Sequence, residues 1–259
     1  VNSLTNPKFY NTDGRSWFTT CDTLCIDEAS QVVRHTTTGP VDSPVRVMDA
    51  LTDAMAASRR TILCDADAND SVIELCEMAN PDKPITVIEV DGTADHIRVD
   101  HSDDESVWQH ALELITKGRR VLVANDSAES AKKLAAAVEE RNPDARILLV
   151  HKDSKANPAV EAFLDRPNAE ATKYDVLIYS PAISSGVSIT VSHFEHHIGI
   201  FSGNTVSPAD AVQMLRRDRT ARHYLVGIGH TNKQSVTDRE ALFRGLVAAD
   251  VVACEYEET

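Results

Sequence analysis

Short runs rich in Val, Ile and Leu alternate with stretches of helical periodicity along almost the whole chain, and this alternation constrains the fold more than any other feature. A strand–helix–strand repeat has one common stable solution, a parallel sheet with helices packed on its faces. The strand-like runs are Leu24–Ile26, Thr61–Cys64, Ile85–Val90, His96–Asp100, Arg120–Ala124, Ile147–Val150, Asp175–Tyr179, His196–Phe201 and Tyr224–Ile228. Helical patterns lie between them. One covers Val45–Ala57 and is opened by Ser43-Pro44; another covers Ser71–Ala79. Asp103–Lys117 is stopped by Gly118, and Ala128–Arg141 is capped by Ser127. Ala159–Leu164, Pro208–Arg217, opened by Ser207-Pro208, and Asp238–Ala249 complete the series. Strands of a parallel sheet are buried on both faces, which suits a chain that is 42% hydrophobic but only 5% aromatic. A polar, acidic stretch near residues 93–103 interrupts the rhythm. It predicts two α/β domains, 1–95 and 96–259, in a chain of 259 residues.

Several function classes are disfavoured at this level. No apolar run is long enough to span a bilayer, and the N-terminal residues lack the regions of a secretory signal, so no membrane partner is expected. The first residue is Val rather than Met, which suggests a start inside a longer protein. The cysteines at 21, 25, 64, 76 and 254 are odd in number and scattered, which points to a reducing, cytoplasmic setting. Cys25 lies in an apolar run and is predicted to be a buried thiol rather than half of a metal site. In the run His193-Phe194-Glu195-His196-His197, strand alternation sends the last two rings to opposite faces, which argues against a metal. Trp108 and Tyr224 are expected in packing roles rather than stacked on bases. A net charge of −14 disfavours a general nucleic-acid-binding surface, yet Arg216, Arg217, Arg219 and Arg222 form a local basic cluster.

Chemistry in open α/β sheets gathers at the carboxyl ends of the strands, and here those ends are polar. Leu24-Cys25-Ile26 runs into Asp27-Glu28-Ala29-Ser30. In a nucleotide hydrolase the first carboxylate holds Mg²⁺ through water and the second polarises the attacking water; the bland alternative is a solvated acidic turn. Ile62-Leu63-Cys64 runs into Asp65-Ala66-Asp67, which on its own also fits a phosphatase nucleophile or the metal-binding pair of a sugar transferase. Asp175–Tyr179 leads to Ser180-Pro181 and then Ser184-Ser185-Gly186-Val187-Ser188, a loop able to offer N–H and hydroxyl groups to phosphate. Gln213 and Arg217, four apart on the helix expected at Pro208–Arg217, share a face, and Arg216 and Arg219 share another. Arginine suits phosphate oxygens, although a charge run is also what a solvated helix face looks like.

In order and spacing these segments resemble the motifs of superfamily 2 helicases. Asp27-Glu28-Ala29-Ser30 is similar to motif II and Asp65-Ala66-Asp67 to motif III. Val121–Ser127 is similar to motif IV, Asp175 through Ser188 to motif V, and Gln213-x-x-x-Arg217-x-Arg219 to motif VI. Within that superfamily the pattern looks most like the origin-binding-protein and plasmid-replication-helicase group. The resemblance implies a P-loop NTPase with two RecA-like lobes built on parallel sheets, the first truncated at its N-terminus. It implies ATP and Mg²⁺ as cofactors, with single-stranded or duplex DNA, and other replication proteins, as partners. Asp27 and Glu28 would act on metal and water, and Arg217 and Arg219 as finger residues. Asp65, Asp67, Ser184, Ser185, Gly186 and Gln213 would contact nucleotide or couple it to the lobes. The carboxylates and arginines would then converge on one cleft. Three departures stand out. No G-x-x-x-x-G-K-[ST] loop occurs in the chain, Arg216 stands where many relatives have Gly, and the second finger follows the first by two residues rather than three. Two other readings remain: a non-catalytic interaction module of a replication complex, and a metal-dependent phosphatase or sugar transferase using Asp65 and Asp67.

Overall fold

The computed structural model describes residues 2–38, 41, 43–66, 68–90, 92, 96–181, 187–203 and 205–229. The chain divides into two compact units, Val1–Asp91 and Gly92–Thr259.

In the first unit, β1 (Thr23–Asp27) leads into α1 (Ala29–Thr38), followed by α2 (Pro44–Ala57), β2 (Arg60–Cys64) and α3 (Asp70–Ala79). β1 and β2 pair in parallel, with Asp27 opposite Cys64. Leu24, Ile26 and Leu63 face a core built by Ala29 and Val32 of α1, Leu51 and Met55 of α2, and Val72 and Leu75 of α3. The other face, carrying Cys25, Ile62 and Cys64, is exposed among the described residues. This corrects the expectation of a buried Cys25: an apolar run places alternate residues on opposite faces, and the helices cover one of them. The second correction concerns Ile85–Val90. It joins no described strand, and Val87, Ile88 and Val90 are 68%, 83% and 85% exposed. Its β-branched composition suits a pleated surface, but such a preference becomes a strand only against a ladder partner.

Among its described residues the second unit forms a six-stranded, all-parallel sheet. Its strands are β3 (Arg98–Asp103), β4 (Val121–Asn125), β5 (Ile147–Val150), β6 (Val176–Tyr179), β7 (His196–Phe201) and β8 (His223–Ile228), arranged in the order β3-β8-β7-β4-β6-β5. The helices are α4 (Asp104–Thr116), α5 (Ala128–Arg141), α6 (Pro158–Asp165), α7 (Pro167–Ala171) and α8 (Pro208–Leu215). Val121, Val123, Val176, Ile178, Ile198 and Ile200 meet α4 and α5 on one face. Leu122, Leu177, Tyr179, Phe201, Tyr224 and Val226 meet α6 and α8 on the other. Right-handed crossovers require this division. The connections from β3 to β4 and from β4 to β5 run one way along the sheet, and those from β5 to β6 and from β7 to β8 run back, so their helices fall on opposite faces. The link from β6 to β7 also runs back, and its Val187, Ile189 and Phe194 pack into the same core as α6 and α8.

Local signals read from the sequence hold at several ends. Ser127 accepts from Ser130 N to cap α5, and Ser207 with Asp210 forms a capping box ahead of Pro208 on α8. Gly118 ends α4 at φ +74°, with its N–H bonded to Ile115 O and the next N–H to Leu114 O, the paired bonds of a glycine-terminated helix. Gly227 answers a different need. A Cβ there would lie 2.8 Å from Asp104 Cα and 2.8 Å from Val107 Cβ, so α4 can seat on β8 only over a bare backbone. Gly227→Ala is expected to destabilise the chain by about 1–3 kcal/mol, the usual cost of overpacking, and urea unfolding of the two proteins measures it.

Candidate functional site

The acidic groups of the first unit come together through the pairing of β1 with β2. Asp27 is the last residue of β1, and Asp65 directly follows β2. The parallel register puts both at the carboxyl edge. Glu28 forms the junction with α1 in the left-handed region, φ +52°. That conformation costs a non-glycine residue about 1–2 kcal/mol, and such strain collects where a side chain must be aimed. Asp27 Oδ1 accepts from Glu28 N at 3.1 Å, and Glu28 O accepts from the amides of Gln31 and Val32, which starts the helix. Asp65 Oδ2 accepts from Ser30 N at 2.7 Å. The first amides of a helix lack intrahelical partners and carry the positive end of its dipole, so this bond ties the segment after β2 to the start of α1. Asp27 is exposed and Glu28 partly so. Asp67 lies outside the described residues, as do Ser184, Ser185 and Gly186.

The clustered arginines, Arg216, Arg217, Arg219 and Arg222, do not stand on a helix. α8 ends at Leu215, and Arg216 is its C-cap. The expectation that Gln213 and Arg217 share a helix face is therefore corrected, as is the one for Arg216 and Arg219. At its end Arg216 N donates to Val212 O and Arg217 N to Met214 O, and Met214 O also accepts, at 2.6 Å, from the Tyr179 hydroxyl on β6. Burial pushes that hydroxyl's pKa well above its ordinary value, with the nearby Arg217 charge opposing the shift. Beyond the cap, Arg217-Asp218-Arg219 runs as a short extended turn. Ile189 N donates to Arg217 O, and Arg219 N donates to Ile189 O, both at 2.8 Å. The residue that follows the motif V-like segment and the motif VI-like turn are thus joined backbone to backbone. Arg217 is half-buried and Arg219 exposed. Gln213 sits half-buried on α8.

Asp218, between the arginines, points inward and is fully buried. Its Oδ2 lies 2.9 Å from His197 Nε2, which must be the donor because a carboxylate only accepts. Its Oδ1 accepts from Thr220 N at 2.8 Å and from Thr220 Oγ1 at 2.7 Å. Burial alone would raise the Asp218 pKa; the bonds from His197 and Thr220 outweigh it and leave the carboxyl below its ordinary value. His197 stacks edge-on against Tyr224, a core residue. His196, its neighbour, turns to the opposite face, where burial lowers its pKa against the opposing pull of Glu195. Neither His197 nor Asp218 was singled out as a functional residue from the sequence. Their partnership spans 21 positions, and an acid inside an arginine run carries no local signal of burial.

At the carboxyl edge of this sheet, Asp126 Oδ2 accepts from Ser202 N and Ser202 Oγ, at 2.8 and 2.7 Å, linking the ends of β4 and β7. Asp175 belongs to the opposite, amino edge, where Arg146 holds it with a bidentate pair of bonds at 3.0 and 2.7 Å. Among the described residues no group of three or more His, Cys, Asp or Glu side chains is placed to hold a metal ion, and no helix is long and apolar enough to cross a membrane.

No family model matches the chain. An uncharacterised protein of Picosynechococcus sp. (strain PCC 7002) is 26% identical over 227 residues, which is 77% of this chain and 22% of that protein. Among solved structures, the DUF1998 helicase MrfA bound to DNA and AMPPNP superposes with a TM-score of 0.56 at 14% identity, covering 89% of this chain and 34% of that one. Dbp5 of S. cerevisiae bound to RNA and ADP BeF3 superposes with a TM-score of 0.54 at 12% identity, covering 82% and 54%. This chain therefore spans less than two thirds of the length of each of these three proteins. Its structural neighbours are superfamily 2 helicases, and the likeness shows that it has their fold, an α/β architecture of parallel sheets covered by helices.

Proposed function

We propose that this chain is the motif II to motif VI portion of an ATP-dependent DNA helicase or translocase that acts in replication initiation, of the plasmid, phage or mobile-element type. The pairing of β1 with β2 carries this reading. It sets Asp27-Glu28 and Asp65 side by side at the edge where open α/β sheets receive ligands. In this role Asp27 would hold Mg²⁺ largely through water. The fit is reasonable, since magnesium keeps several waters and takes one or two carboxylates plus phosphate, and Asp27 is an exposed carboxylate at a strand end. When bound, the ion neutralises charge on the phosphates. Glu28 would take the proton of the attacking water. Arg217 and Arg219 would stabilise charge on the transferred phosphoryl group. Asp65 and Asp67 would couple nucleotide state to the first unit. Ser184, Ser185, Gly186 and Gln213 would contact nucleotide or the DNA backbone. The nucleic acids bound to MrfA and Dbp5 support a nucleic-acid partner.

A second reading, a non-catalytic interaction module of a replication complex, draws on one observation: the 259 residues contain no phosphate-cradling loop and no loop lysine. One measurement separates the two. Phosphate release is followed for the full-length protein and for this chain alone, each with and without single-stranded DNA. The helicase reading expects DNA-stimulated turnover from the full-length protein and none from the chain alone, because the γ-phosphate needs the loop's amides and lysine. A full-length protein that binds its partners without turning over ATP would establish the module instead. The phosphatase or sugar-transferase reading is weakened by the bond from Ser30 N, which commits an Asp65 oxygen to capping α1.

A further inference from the structure

The reaction outlined above gives no task to Asp218, yet this is the charged group buried most completely among the described residues, and it sits between the two arginines the reaction needs. A buried carboxylate is costly unless hydrogen bonds answer it, and here three do. We propose that His197 and Asp218 are a positioning pair that aims Arg217 and Arg219; the proposal rests on the reading of those arginines as finger residues. Neither His197 nor Asp218 touches substrate in this scheme.

The geometry supports this from two directions. Backbone bonds to Ile189 hold the peptide groups on either side of Asp218. The Asp218 side chain anchors the same residue to the sheet through His197 on β7 and closes the following turn through Thr220. His197 is itself fixed by Tyr224 on the neighbouring strand β8. The main chain at 217 and 219 is therefore set relative to the sheet, which fixes the points from which the two side chains reach toward the phosphoryl group. Transition-state contacts depend steeply on such placement: an error of about 1 Å costs on the order of 100-fold in rate.

The test uses the full-length protein and three readouts, kcat, nucleotide Kd and thermal midpoint. His197→Phe keeps a ring but removes the donor; His197→Gln places an amide N–H where Nε2–H was. His197→Phe is expected to lower kcat about 10- to 100-fold with Kd unchanged within about 3-fold, and His197→Gln to restore most of the loss. On an Arg217→Ala background, His197→Phe should add little further loss, because residues acting through one another are not additive. Should His197→Phe fail to fold, Thr220→Val removes one donor to Asp218 and carries the same test with a smaller loss, about 3- to 10-fold. Equal losses on both backgrounds, or a loss in Kd with kcat intact, overturn the positioning pair. Turnover that depends on Glu28 and Arg217 but ignores His197→Phe overturns the pair alone. Turnover that ignores Glu28→Gln and Arg217→Ala overturns the underlying reading.

Discussion

Glu28→Gln in the full-length protein is expected to reduce DNA-stimulated ATP turnover by about 10²- to 10⁴-fold, the range typical of losing a general base. Gln matches Glu in shape and can still orient a water, but it cannot accept the proton as the water attacks. Nucleotide affinity should change little, because the metal contact is assigned to Asp27 and the substitution leaves the β1–α1 junction with the same backbone bonds. Single-turnover phosphate release beside a nucleotide-binding titration separates the two quantities. A variant that turns over normally would show that Glu28 is only the strained hinge between strand and helix.

Arg217→Ala and Arg219→Ala are each expected to lower kcat more than they weaken nucleotide binding. A finger acts mainly on charge that develops in the transition state, and its loss costs about 10³-fold or more. Arg217 is half-buried, with Nη1 donating to Val187 O, and Arg219 is exposed, so Arg217 is the better held of the two and should show the larger effect. Measuring kcat and nucleotide Kd for each variant decides the matter. If both keep near-normal kcat, the arginine run is a solvated surface turn with no part in the reaction.

Much of the second unit was legible in the sequence because local periodicity records which faces must be buried. The runs at Val121, Ile147, Val176 and His196 all became strands. The caps at Ser127, Ser207 and Gly118 appear where residue chemistry demands them. The opposed faces of His196 and His197 followed from alternation alone. The same local logic failed at Ile85–Val90 and at Cys25, where the outcome depends on what lies across the ladder or over the face. It also extended α8 through Arg217, whereas the helix ends at Leu215 and the main chain at 217 and 219 bonds to Ile189, a partner far away in the sequence.

The sequence by itself determined that this chain is a series of apolar parallel strands and covering helices, with acids following particular strands, because those features depend on residues a few positions apart. Only the tertiary structure decided the strand order, the bond that ties Asp65 to the start of α1, and the inward turn of Asp218 toward His197. Each of these joins groups far apart in the chain. No local pattern encodes them, since they exist only once crossovers and packing have brought the partners within bonding distance.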